Sequence, residues 1–230
     1  MAEFNSAENL NMNLVENLST DVMTGGLDER MFLYFRLSGS MKKADGVDII
    51  VSFLMESGVK MILKDLDQAL QRGAKIRILT GNYLGITQPS ALYLIKRKLG
   101  DQVDLRFYND PKRSFHPKAY MFHYATYSEM YIGSSNVSRS ALTSGIEWNY
   151  RFNSKTDPES YQKFYETFED LFEHHSTVID EAELKRYSKN WHRPAVAKDL
   201  DKYDQNDEPD TNVRMLYEPR GAQIEVLCAL

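Results

Sequence analysis

Cysteine is almost absent from this sequence: Cys228 is the single one among 230 residues. One thiol permits neither an internal disulfide nor a thiolate cluster for structural zinc, so the composition fits a reducing compartment and points to the cytoplasm. Long apolar runs are missing too. None approaches the roughly 18 residues a membrane-spanning helix needs, and the N-terminus carries no basic-then-apolar leader, so neither membrane anchoring nor secretion is expected. No G-x-x-x-x-G-K-S/T pattern occurs, which excludes a P-loop and with it ATP hydrolysis by these residues. His174, His175 and His192 have no partner ligands at metal spacing, so neither a metal site nor a cofactor is expected. An excess of basic charge is also lacking. Lys and Arg number 28 against 33 Asp and Glu, a net charge of -5, which argues against a simple basic nucleic-acid binder.

What is present is the balance of a globular chain, 42% hydrophobic and 27% charged, with room for one good-sized domain and an appendage. The charge is uneven. Between Lys96 and Arg151 there are nine basic and five acidic residues, and between Thr156 and Asp210 seven and fifteen. The middle of the chain is therefore locally basic, with Lys96, Arg97, Lys98, Arg106, Lys112, Arg113, Arg139 and Arg151 suited to a phosphate backbone.

Residues 1–29 are Asn-rich, short of apolar periodicity, and read as a lead-in segment. Arg30 to Lys43 has helical spacing, and Val47 to Phe53 is a run of mainly β-branched and apolar residues, the pattern of a buried strand. A helix to Arg72 closed by Gly73, a strand from Ala74 to Thr80, a helix from Ser90 to Leu99 and a strand from Val103 to Tyr108 follow. This alternation predicts an α/β architecture, a mixed, mainly parallel sheet flanked by helices. Lys118 to Tyr124, Glu129 to Gly133 and Ile146 to Phe152 read as further strands, and Asp157 to Phe172 and Asp180 to Tyr187 as helices. The principal domain is expected over 30–195, followed by an acidic linker over 196–212 and an amphipathic segment over 213–230.

One stretch concentrates residues with chemistry to offer: Ser114-Phe115-His116-Pro117-Lys118, then Gly133-Ser134-Ser135-Asn136, then Gly145-Ile146-Glu147-Trp148-Asn149. A neutral imidazole such as His116 is a capable nucleophile toward phosphorus. Lys118, two residues on in a strand, projects to the same side and can hold a phosphate oxygen. The turn from Gly133 to Asn136 offers amides, the Ser134 and Ser135 hydroxyls and a carboxamide to an anion. Glu147 can accept the second ring N–H of a histidine. Taken singly, each residue has an ordinary structural reading; their order and spacing set them apart. Tyr83, Phe115 and Trp148 could stack on bases or serve in the core.

His116-x-Lys118 followed by Gly133-Ser134-x-Asn136 resembles the HxK…GSxN signature of the phospholipase D superfamily, with Glu147 thirteen residues after Ser134, where nuclease members place a supporting carboxylate. His123 stands where the family often has an aspartate. The resemblance implies a phospholipase D-like fold and a metal-independent phosphodiesterase with His116, Lys118, Asn136 and Glu147 catalytic, and Lys118, Ser134, Ser135 and Asn136 binding phosphate. Because the chain carries one motif where the family uses two, it implies a homodimer with a shared site. The single motif resembles the nuclease branch, making DNA the expected partner. The alternatives are a noncatalytic nucleic-acid-binding module and a lipid phosphodiesterase. Leu216 to Leu227 resembles the entry helix of superfamily-2 helicases, which implies a DEAD/DEAH-box helicase carrying this domain at its N-terminus.

Overall fold

The run around Val47 to Val51 lies at the centre of the molecule, as its composition requires. The computed structural model describes residues 20–82, 85–110 and 112–194. Along the chain these form β1 (Val22–Gly25), α1 (Leu33–Met41), β2 (Gly46–Val51), α2 (Glu56–Gln71), β3 (Lys75–Thr80), α3 (Pro89–Leu99), β4 (Val103–Tyr108), β5 (Lys118–Tyr124), β6 (Tyr127–Gly133), α4 (Arg139–Leu142), β7 (Ile146–Asn153), α5 (Pro158–His174), β8 (Ser176–Val178) and α6 (Glu181–Asn190). The strands make one sheet in the order β1-β7-β6-β5-β2-β3-β4-β8.

Side chains of β2 alternate between two cores. Val47, Ile49 and Val51 join Leu37 of α1, Val59, Ile62 and Leu66 of α2, and Ile95 of α3. Ile50 joins Leu79, Met121 and Met130 beneath Tyr161, Phe168 and Phe172 of α5. Each large side chain buried in this way contributes roughly 2–3 kcal/mol. Residues β2–β3–β4 run parallel, because α2 and α3 return the chain across one face. Gly58, near the start of α2, sits so close to the Val137–Ser138 backbone that a Cβ would collide with it. The helix is thereby seated against the turn that follows β6.

The α/β architecture with a mixed sheet flanked by helices agrees with the sequence reading, but the sheet is less parallel than expected. Among the described strands only β2–β3 and β3–β4 pair in parallel; β5, β6 and β7 form an antiparallel meander on the far side of β2. Two short strands are additions. β1 lies within the expected lead-in and pairs with β7, and β8 pairs with β4. Both are too short and polar to register as strands; pairing at the sheet edges creates them. The expected helix from Arg30 begins instead at Leu33, after a 3-10 turn over Glu29–Met31 that Asp28 caps. The acidic linker over 196–212 and the helicase-like segment over 213–230 lie outside the described residues.

Asp48, the polar interruption in β2, is almost fully buried. Burial works to raise its carboxyl pKa, yet His123 Nε2 and the Arg77 guanidinium, each at 2.7 Å, overcome this and hold it below its ordinary value. Arg77 also pairs with Glu169 at 2.6 Å, tying α5 to the sheet.

Candidate active site

The chemistry-bearing residues converge where the parallel strands end, the edge at which α/β sheets bind ligands. Lys118 opens β5 and pairs with Val51, the last residue of β2, which places it beside Ser52. Its side chain is buried, and its ammonium donates to Ser52 Oγ at 3.0 Å, to the His116 carbonyl at 2.9 Å and to the His116 ring, whose Nδ1 lies 2.8 Å away. Three donors thus meet three acceptors. The His116 side chain is itself exposed, on the segment that leads into β5.

Burial shifts both groups toward their neutral forms. It pushes Lys118 down to about 8, against a smaller upward pull from the Glu147 charge. Burial and then the Lys118 charge hold His116 below its ordinary value, so the imidazole is neutral at pH 7. Below about pH 8 folding encloses a charged Lys118, and that cost falls as pH rises through this value. Lys118→Met should therefore raise the thermal midpoint at pH 7 by about 2–4 °C, with a smaller gain above pH 8. A lower midpoint in thermal melts at both pH values would contradict the assignment of strain to this lysine.

The turn after β6 supplies the other side. Asn136 is buried, and its Oδ1 accepts from Phe53 N at 3.2 Å, leaving its Nδ2 as the donor it can offer an anion. Ser134 is exposed. Its hydroxyl donates to Glu147 Oε2 and accepts from Trp148 N at 3.0 Å, while its own N–H reaches Trp148 O at 3.0 Å. Glu147 thus bonds to Ser134, and its charge acts on Lys118 and Tyr120. Ser135 also differs from its expected phosphate role. It is fully buried, its hydroxyl donates to Ala141 O at 3.0 Å and accepts from Asn149 Nδ2 at 2.9 Å, and it pins the turn from within.

His123 lies on the sheet face opposite Lys118, since five residues separate them along β5. It bonds Asp48 and, through Nδ1, Ser128 Oγ at 3.0 Å. The expected basic track is partly neutralised: Lys96, Arg106 and Arg151 each pair at 2.7 Å with Asp101, Asp104 and Asp21. Lys112 and Arg113 are exposed on the segment that leads to His116, with Asp110 3.8 Å from the Arg113 guanidinium. Sequence reasoning missed Ser52, which holds the lysine, and placed Asn149 in the stretch without a role, whereas its amide holds the turn through Ser135. The available signal for Ser52 was a hydroxyl at the end of the apolar run Ile49 to Val51, on the ligand-binding edge.

Comparison with known proteins gives a consistent picture. The family described as "Cardiolipin synthase, PLD-like domain" matches residues 39–175. Among solved structures, Nuc, a phospholipase D family member from Salmonella typhimurium, is 17% identical with a TM-score of 0.50, over 64% of this chain and 90% of that one. Polyphosphate kinase from Porphyromonas gingivalis is 13% identical with a TM-score of 0.52, over 71% of this chain and 24% of that one. Phosphatidylserine synthase from Haemophilus influenzae is 13% identical with a TM-score of 0.50, over 78% of this chain and 43% of that one. At such identities these proteins share the fold. No curated protein matches the chain.

Proposed function

The chain belongs to the phospholipase D-like domain family, and from that premise we propose that it is a metal-independent phosphodiesterase that cleaves DNA through a phosphohistidine at a site shared by two copies. The observation that carries this reading is the buried Lys118 ammonium bonded to the neutral His116 ring. A phosphate diester that takes the ammonium as its counter-charge frees the imidazole lone pair beside the phosphorus. The imidazole attacks, a P–N bond forms and the P–O bond to the leaving group breaks. The partner subunit's His116, protonated once the phosphate anion binds beside it, gives that proton to the departing oxygen and becomes neutral. Water then attacks the phosphohistidine, yields a proton to that same imidazole and restores the nucleophile. Lys118 and the Asn136 amide stabilise the charge that gathers on phosphorus oxygens, with Ser134 at the rim.

DNA is favoured over lipid by Lys112 and Arg113 beside the site. Among the described residues no helix is long and apolar enough to cross a membrane. The need for a second copy rests on the single motif, and the exposed ridge of Ile146, Trp148 and Tyr150 on β7 offers it a face. A helicase joined through residues 213–230 would supply this nuclease with opened strands.

Labelled DNA incubated with the full chain in excess EDTA tests the reading. Cleavage should persist, and kcat/KM should fall above about pH 8 as Lys118 loses its proton. Cleavage that requires a divalent metal contradicts it. Salt-sensitive DNA binding without cleavage would assign the chain to the noncatalytic alternative.

A further inference from the structure

The family match ends at residue 175, yet the chain continues into β8 and α6, and α6 reaches back toward the site. Ile179 and Leu184 anchor this extension in the main core, and the Tyr187 ring lies 4.8 Å from that of Phe107. From there two polar groups turn to the loop after β3. The Tyr187 hydroxyl lies 2.7 Å from both Asn82 Oδ1 and Thr87 O, and Trp191 Nε1 donates to Gly85 O at 2.7 Å.

That loop is in turn fastened to the backbone around the site. Gln88 N donates to Leu54 O at 2.9 Å, and Gln88 Oε1 accepts from Glu56 N at 2.7 Å. Ile86 packs with Phe53 and Met55. Phe53 is the residue whose N–H holds Asn136. At the other end of the loop, a Cβ on Gly81 would stand 2.6 Å from the Phe115 ring, immediately before His116 in the chain. The loop therefore touches the supports of both the anion-binding amide and the nucleophile.

We propose that α6 is a positioning strap for the site: Tyr187 and Trp191 hold the loop after β3, and the loop fixes the backbone on which Asn136 and His116 depend. The reacting groups lie within the residues that the family model matches, and the strap lies beyond them. Neither residue touches substrate; both act through Phe53 and Phe115. The catalytic part of this inference rests on the phosphodiesterase reading above.

The test is this chain carrying Tyr187→Phe and Trp191→Phe, which keeps an aromatic ring at each position and removes the Tyr187 O–H and the Trp191 N–H that hold the loop. Its kcat per folded molecule should fall about 10- to 100-fold with KM little changed, since small displacements of reacting groups have effects of this size. Amide exchange at Phe53 to Glu56 should quicken, and the thermal midpoint should stay within a few degrees of wild type. Unchanged kcat and exchange would overturn the strap, as would a loss of activity that only tracks loss of folded protein. If wild type cleaves no phosphodiester, the proposed function fails, and exchange at Phe53 to Glu56 decides the strap alone: faster in the variant supports it, unchanged overturns it.

Discussion

Replacing His116 by alanine should lower DNA cleavage by roughly 10⁴-fold or more, the scale seen when a covalent nucleophile is removed. The protein should stay folded, because the His116 side chain is exposed and makes no part of either core. Lys118 would keep Ser52 Oγ and the residue 116 carbonyl as acceptors, so the buried ammonium would not be stranded. The effect should therefore appear in kcat and leave the thermal midpoint almost unmoved. In a site shared by two copies, each histidine serves once as nucleophile and once as acid, and the substitution removes both roles. Steady-state cleavage with thermal melts of the same preparations measures this. Residual activity within tenfold of wild type would remove His116 from the mechanism.

The second large effect concerns the surface against which a second copy is expected to pack. β1 and β8 are the outer strands of the sheet, so continuation of the sheet by the bare edge of β7 or β4 is already taken up within the chain. The available apolar surface is a face. Ile146, Trp148 and Tyr150 alternate along β7 with exposures of 78, 75 and 52%, and Phe164 of α5 is exposed as well. Trp148 is also bonded through its backbone to Ser134, so this ridge begins at the site itself. A carboxylate placed in such a contact loses its water without gaining a partner. Trp148→Asp combined with Tyr150→Asp should convert a dimer into a monomer in light scattering and lower cleavage at least ~100-fold, because half of the shared acid–base pair is lost. A wild-type chain that is monomeric at assay concentrations, or a variant that is monomeric and fully active, would contradict the shared site.

Most of the interior was legible in the sequence because hydrophobic period and length are local signals. Val47 to Phe53 carries apolar residues on both faces, too many for a half-exposed strand, and Tyr161, Phe168 and Phe172 recur at helical spacing, which is why β2 and α5 lie where expected. The direction of pairing was less accessible. The switch from helical crossovers to hairpins after β4 makes most strand pairs antiparallel, and a turn such as Ala125–Thr126 signals it only weakly. β1 and β8 owe their existence to partners 124 and 70 residues or so away in the chain, which no window of local propensity contains.

The site shows the same division. His116, Lys118 and Asn136 stand out by spacing, but what holds them comes from distant segments. Ser52 and the Phe53 amide arrive from the end of β2, and the strap from beyond the family's span. Glu147 was visible as a carboxylate near the motif; its bond to Ser134 depends on how the β6–β7 turn folds. His123 departs from the family at one position, and its meaning emerges only with Asp48 and Arg77 across the strands, where the acid is carried by β2. The buried Asp48 carboxylate, bonded to Arg77 and His123, fastens β2, β3 and β5 together.

Rapid quenching of a single turnover is the most direct test of the central claim. A short labelled oligonucleotide would be mixed with excess protein in EDTA and the products resolved by intact-mass spectrometry at alkaline pH, where a phosphohistidine survives. A covalent oligonucleotide adduct on wild type that decays as product appears, and that is absent from His116→Ala, is the predicted result. Product that forms with no adduct at any time, or only when a divalent metal is restored, would contradict it.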